Sequence, residues 1–427
     1  MKIAHFVQGW AEQLGGGPRY FREISLRAAR AGHEVRVLTT NAVEGEFFWL
    51  PSAAHVEPGV ETIDGVEVHR FPVMHLPKNH WKLARLAALL RPGTWGPVLD
   101  PPTPWVPAMH QYARATDDLP QLVHGTGFPL DGPLWAGRTL AMRADCPFML
   151  TPLLHFGRGE QDSAEMSRFY GRDHQRLMLE HASVVFVLTP TEGEWAAMLG
   201  ARPEAIAVVG VGIEPEEVTG GDGAAFRTRH GIEGPILLHI ATRAAAKGST
   251  DVVEAARLLW EQGSEVTLVM AGGTMPCFRE YLDAVRDRLP QDRFIDLGYI
   301  EDDDKRDALA AADVFALPSR ADAFGIVFLE AWANEVPVIG ARAGGIPDVI
   351  DEGRDGLLVD FGDAKALAEA ASKLIDEPEQ AREMGRAGRR KALESYTWSE
   401  VFSRVIERYE ACKGLSYGEL PRQPEGE

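Results

Sequence analysis

From its first residues the chain alternates short apolar runs with longer amphipathic ones. Residues 2–7 form a strand-length apolar run, a helical pattern occupies 19–30 and ends at Gly32, and a second apolar run covers 34–38. Glycine just past a helical pattern is a common stop signal. Strand, helix and strand in that order predict the opening of a doubly wound α/β sheet, whose ligands lie beyond the carboxyl ends of the strands. Further strands are predicted at 66–71, 122–125, 146–151 and 184–188, with helices at 165–181 and 191–199. The stretch 41–100 reads as irregular apart from its one strand, and proline crowding from 92 to 107 marks a loop. A strand at 206–213 then leads into Thr219-Gly220-Gly221-Asp222-Gly223, a glycine-rich polar stretch that predicts a domain boundary. The second half alternates more cleanly. Strands are predicted at 236–240, 266–272, 293–297, 314–317, 336–340 and 355–359, with helices between them and a last one at 398–412.

One hydrophobic core rarely serves a chain of 427 residues, so two domains are expected, at 1–210 and 211–397. A helix at about 398–413 and a loose tail at 414–427 complete the chain. Hydrophobic residues at 45% and charged residues at 25% describe an ordinary globular protein. No run approaches ~20 uninterrupted apolar residues, so no membrane span is expected. The first ten residues lack the apolar core of a signal peptide. Cys146, Cys277 and Cys412 are scattered without metal spacing, which fits reduced thiols in a cytoplasmic protein. A formal net charge of −19 argues against nucleic acid as a partner, though a few converging cations still suffice for an anionic nucleotide. Residues 75–95 stand apart. They carry Lys78, Lys82, Arg85 and Arg91 with no acidic residue, beside Trp81, Leu83, Leu86, Leu89 and Leu90. Two readings stay open there: a core-packed helix with solvated cations, or contact with an anionic acceptor or the inner membrane face.

The densest candidate chemistry lies at 317–350, LPSRADAFGIVFLEAWANEVPVIGARAGGIPDVI. Glu330 sits inside an apolar helical run, a costly place for a carboxylate unless donors meet it. Asp322 precedes Phe324-Gly325-Ile326, whose backbone amides fall at the start of that helix, where a phosphate or sugar hydroxyl can bind. Ile326 and Glu330 are four apart and share one helix face. Upstream, Arg243 and Lys247 occupy a strand-to-helix turn and suit a diphosphate. The run Gly15-Gly16-Gly17 lets the backbone approach a ligand closely. Histidines at two strand ends, His124 and His155, read as either structural or catalytic. The acidic run 301–304 reads as the N-terminal charge of a helix rather than as a metal site.

The 317–350 stretch closely resembles the E-x7-E carboxylate signature of retaining glycosyltransferases of family four. Asp322 takes the place of the first Glu, shortening its reach by about 1.5 Å, and the spacing to Glu330 is preserved. The resemblance spans nearly the whole chain and implies the GT-B architecture, two Rossmann-like domains facing a central cleft, with the last helix crossing back onto the first domain. It implies that Glu330 holds the nucleotide ribose, Asp322 contacts the donor sugar, and Arg243 and Lys247 neutralise the diphosphate. By the same resemblance Gly16, Gly17 and the amides of Phe324, Gly325 and Ile326 face the donor, and main-chain groups of Tyr299 and Ile300 meet the base. His155 falls near the reaction centre, although the commonest family spacing puts that histidine at Leu153. His124 resembles a second recurrent histidine, and Arg158 lies in a loop that reaches the acceptor.

The implied reaction is metal-independent transfer, with retention, from a UDP- or GDP-sugar to a glycan, lipid-linked or small-molecule acceptor. The nucleotide sugar is a co-substrate, and no other cofactor and no metal is expected. A cytoplasmic enzyme follows, peripheral at the membrane if 75–95 touches it. The alternatives are a nucleotide-sugar epimerase or hydrolase on the same architecture, or a non-catalytic sugar-nucleotide-binding protein. A dinucleotide oxidoreductase is disfavoured because neither glycine loop has the fingerprint spacing.

Overall fold

A computed structural model describes residues 1–10, 16–75, 103–155 and 169–421. Two sheets organise it. The first contains β1 (Lys2–Phe6), β2 (Glu34–Thr40), β3 (Gly59–Ile63), β4 (Val66–Phe71), β5 (Leu122–Thr126), β6 (Phe148–Thr151), β7 (Val184–Val187) and β8 (Ile206–Val208), in the order β3-β4-β2-β1-β5-β6-β7-β8. The central strand β1 sets Ile3 opposite Val35 on one side and Leu122 on the other. All pairings are parallel except β3 with β4. The second sheet is wholly parallel: β9 (Ile236–Ile240), β10 (Thr267–Ala271), β11 (Phe294–Gly298), β12 (Val314–Leu317), β13 (Val338–Ala341) and β14 (Gly356–Val359), ordered β11-β10-β9-β12-β13-β14. Parallel strands covered on both faces are apolar throughout. Accordingly β7, β9, β10, β12 and β13 are buried along their whole length.

Four features add to or depart from the pattern-based expectation. The stretch after residue 41 contains β3, an exposed edge strand joined to β4 through Asp64 (φ 48°) and Gly65 (φ 84°), the two left-handed residues of a tight hairpin turn. Helix Gly132–Ala144 contains Gly137, which looks like a breaker but lets the helix settle on Phe6; a Cβ there would stand 2.9 Å from that ring. Helices Pro276–Val285 and Pro378–Ser395 start on prolines, where the missing N–H costs no helical bond. The helix expected at 165–181 is divided: Gly171 and Arg172 lie outside helix and Asp173–His181 follows, while 156–168 fall outside the described residues.

The chain passes between the sheets twice, and the two connections run side by side. Ile213 N–H donates to Tyr396 O at 2.9 Å, and Trp398 N–H donates back to Ile213 O at 3.1 Å. Gly212 is required there, because a Cβ would lie 2.7 Å from the Trp398 backbone. Helix Trp398–Ala411 returns onto the first domain. Trp398 packs edge-on against Tyr20, and the buried Tyr409 hydroxyl meets His5 Nε2 at 3.0 Å and His124 Nδ1 at 2.6 Å. Among the described residues no helix is long and apolar enough to cross a membrane.

Candidate active site

The carboxyl ends of both sheets face a crevice of about 390 Å³. Its first-domain wall comprises Gln8 after β1, Gly16, Gly17, Pro18 and Tyr20, Gly127 and Phe128 after β5, Leu153 and His155 after β6, and Leu188 after β7. Its second-domain wall comprises Lys247 after β9 and 322–326 after β12. Of the residues singled out in the sequence, the fold therefore gathers Gly16, Gly17, His155, Lys247, Asp322, Phe324, Gly325 and Ile326 around one space.

On the second wall, Lys247 Nζ donates to both oxygens of Asp322 at 2.9 Å. Burial alone would push the Asp322 carboxyl up; the Lys247 ammonium, with His155 and Ser319, outweighs this and holds it below its ordinary value. The loop carrying Asp322 is pinned from behind by glycines. Gly345 N–H donates to Asp322 O at 2.8 Å, and a Cβ on Gly344 would fall 2.4 Å from the same oxygen. Gly325 (φ 84°) starts helix Ile326–Ala333, which has no side-chain cap and so keeps its first amides available to a ligand, and Gly325 and Ile326 line the crevice.

On the first wall, Leu153 adopts φ 57°, a strained conformation for a branched side chain. A Cβ on Gly17 would lie 2.9 Å from Leu153 Cδ1, so glycine there allows the close approach of helix and strand end. His155 Nδ1 donates to Leu153 O at 2.7 Å, which leaves the lone pair of the neutral ring on Nε2. Burial lowers its pKa, Asp322 works against that, and Lys247 adds to it. Both alignments of the family histidine thus lead to the crevice, one through Leu153 and one through His155.

Several expected residues lie elsewhere. Arg243 is 3% exposed and turned into its own domain. Its guanidinium pairs with Asp296 of β11, donates to Thr274 Oγ1, and reaches Gly272 O at 3.2 Å. With these acceptors in place it does not line the crevice, and Lys247 is the cation of the expected pair that does. His124 is also no part of the wall. It is fully buried in mid-strand, with one ring nitrogen on Tyr409 and the other 2.8 Å from Thr151 Oγ1, and burial drives its pKa well below the ordinary value. Tyr299 is 75% exposed and, like Ile300, follows the edge strand β11, away from the cavity. Glu330 lies one helical turn beyond Ile326 and outside the crevice lining, in a small notch with Arg19 and Glu217, 2.6 Å from Lys305 Nζ. The acidic run stands in the first turn of helix Asp302–Ala311, where Asp304 pairs with Arg229 at 2.9 Å and Asp303 with Arg306. Arg158 and nearly all of the basic segment 75–95 fall outside the described residues.

One residue that shapes the site was not singled out in the sequence. Glu192 is fully buried, and its carboxylate accepts Leu154 N–H at 2.8 Å and Leu188 N–H at 2.7 Å, tying the ends of β6 and β7 together behind His155. Burial pushes its pKa up to about 7, against the pull of those amides. Its signal was the helix-start pair Thr189 and Glu192, in which the Thr189 hydroxyl caps Glu192 N–H.

Two parallel α/β domains meeting across a crevice at their carboxyl ends define the GT-B fold of glycosyltransferases. Anabaena HepE, solved in complex with UDP, has this fold: TM-score 0.71 at 18% identity, over 96% of this chain and 100% of that one. Residues 224–391 match the family described as glycosyl transferases group 1, and residues 15–212 match the glycosyl transferase 4-like domain. With both halves matched, the chain belongs to this glycosyltransferase family. Among its relatives is N-acetyl-alpha-D-glucosaminyl L-malate synthase of Bacillus anthracis, 36% identical over 39% of this chain and 43% of that protein. The shared stretch thus spans less than half the length of that relative. Glycogen synthase of Mycobacterium tuberculosis is 26% identical over 96% of this chain and 94% of its own.

Proposed function

We propose that the chain transfers a sugar from a nucleoside diphosphate sugar to an acceptor hydroxyl, with retention at the anomeric carbon and without a divalent cation. One observation carries the reading. Lys247, the uncapped helix start at Gly325–Ile326 and the Asp322 carboxylate converge on one side of the crevice, facing His155 on the other. A fixed cation and oriented amides suit a diphosphate leaving group, whose negative charge grows as the bond to the anomeric carbon breaks.

In this reading the diphosphate takes over the hydrogen bonds that Lys247 now gives Asp322. Asp322 is then released to accept from hydroxyls of the donor sugar. The acceptor oxygen bonds to the anomeric carbon on the face that the leaving oxygen vacates, and its proton passes to a phosphate oxygen of the departing diphosphate. No enzymic nucleophile is consumed. Glu330 is one turn beyond the amides and takes the ribose. HepE, which shares this fold and was solved with UDP, supports a nucleotide-sugar donor.

The test is a panel of UDP-, GDP- and ADP-sugars screened by thermal stabilisation, followed by product analysis with and without candidate sugar acceptors. Binding of one donor and acceptor-dependent release of its nucleotide are expected. Lys247→Ala should lower turnover by on the order of a hundredfold or more. Wild-type turnover in that variant, or conversion of the donor at the same rate with no acceptor, defeats the proposal.

A further inference from the structure

The carboxylate of Glu330 is not alone in its notch. Lys305, on the neighbouring helix Asp302–Ala311, sets its ammonium 2.6 Å from Glu330 Oε2. Glu330 is 2% exposed, and a carboxylate so far from water is costly without a partner. The other cations of the notch face a different way: Arg306 donates to Glu217 O at 3.3 Å, and Arg19 of the first domain pairs with the Glu217 carboxylate at 3.5 Å. The backbone near Glu330 is tethered too, since Asn334 Nδ2 donates both to Glu330 O and to Val218 O at 2.9 Å.

This ion pair restrains a flexible side chain before any ligand arrives. A glutamate loses up to about 2 kcal/mol of rotamer freedom when it is ordered, and ordering it in advance removes that cost from binding. The notch, about 20 Å³, holds little more than a water molecule, so only the edge of a ligand reaches the pair. Ile326 stands in the crevice, and Glu330 lies four residues on, a rise of about 6 Å along the helix axis. A ligand whose phosphates meet the amides at Ile326 therefore meets Glu330 with the group next to them.

We propose that Lys305 is a positioning residue for the donor: by holding one oxygen of Glu330, it presents the carboxylate to the ribose hydroxyls of a nucleoside diphosphate. The inference rests on the assignment of Glu330 to the ribose. The test uses whichever of UDP, GDP and ADP binds most tightly by calorimetry, together with its 2′,3′-dideoxy analogue. Lys305→Met should weaken the ribonucleotide on the order of tenfold to a hundredfold and leave the dideoxy analogue within about twofold, while Lys305→Arg retains most of the affinity. Glu330→Gln should show the same selective loss, and adding Lys305→Met to it should cost little more. The double variant buries no charge and serves as the folded control. If Lys305→Met keeps full ribonucleotide affinity, or loses both nucleotides equally, the positioning role is overturned. Full ribonucleotide affinity in Glu330→Gln overturns the ribose assignment itself, a separate outcome.

Discussion

The two walls of the crevice solve different physical problems. The second-domain wall works by charge: an ammonium on the connection after β9, and a carboxylate it holds ionised and the start of a helix on the connection after β12. The first-domain wall is built from backbone placement. Gly17 admits Leu153, Leu153 bends back at φ 57°, and the buried Glu192 ties two strand ends together behind His155. Charge can be placed by one residue at the right turn. Placement of backbone needs support from behind, so the residues that matter on the first wall are partly those that never touch the cavity.

The largest effect that separates the walls is expected at Arg243. Spacing alone groups it with Lys247 as a phosphate cation, whereas the structure buries it against Asp296. Arg243→Ala should therefore cost stability, on the order of 2–4 kcal/mol, seen as a lower denaturation midpoint, with turnover per folded molecule staying near wild type. A stable variant that has lost donor affinity would return Arg243 to the charged wall.

Glu192 comes next. Its carboxyl, raised from 4.5 to about 7, holds its proton more tightly folded than unfolded. The resulting stabilisation is complete below pH 4.5 and fades as pH rises to about 7, a difference of roughly 3 kcal/mol. Glu192→Gln should flatten that slope in denaturation curves taken from pH 4.5 to 8. At pH 4.5 it should be about 1–3 kcal/mol less stable than wild type, because one of the two strand-end amides is left without its acceptor, and that deficit should close as the wild type loses its own stabilisation toward pH 7. An unchanged slope would remove Glu192 as the support of this wall.

The smallest effect is expected at Gly17. In Gly17→Ala the new methyl crowds the end of the Leu153 side chain, which can yield, and meets Gln8 Nε2 at an ordinary 3.7 Å. Turnover should fall by no more than a few-fold; a complete loss would mean that the backbone of 16–17 itself bonds the substrate.

The legibility of the site follows the same division. Lys247, Asp322 and 324–326 were readable because each lies on the connection that leaves a strand's carboxyl end, and local order along the chain decides which end of the sheet they join. Arg243 lies at the same kind of turn, but the direction of its side chain depends on Asp296, fifty-three residues away and two strands across the sheet. His124 sits in register with His5 of β1, and that neighbour cannot be seen from either sequence segment. In the fold, uniformly apolar strands were plain. The exposed strand β3 resembled a loop because an edge strand open to solvent carries no apolar run.

The Tyr409 hydroxyl, lodged between His5 and His124, ties the order of biosynthesis to the completion of the fold. The domain that leaves the ribosome first keeps two interior imidazoles short of a partner until residue 409 has been made. Domains generally fold as units in order of emergence; here the leading one is finished last, when the whole of its companion has already been translated.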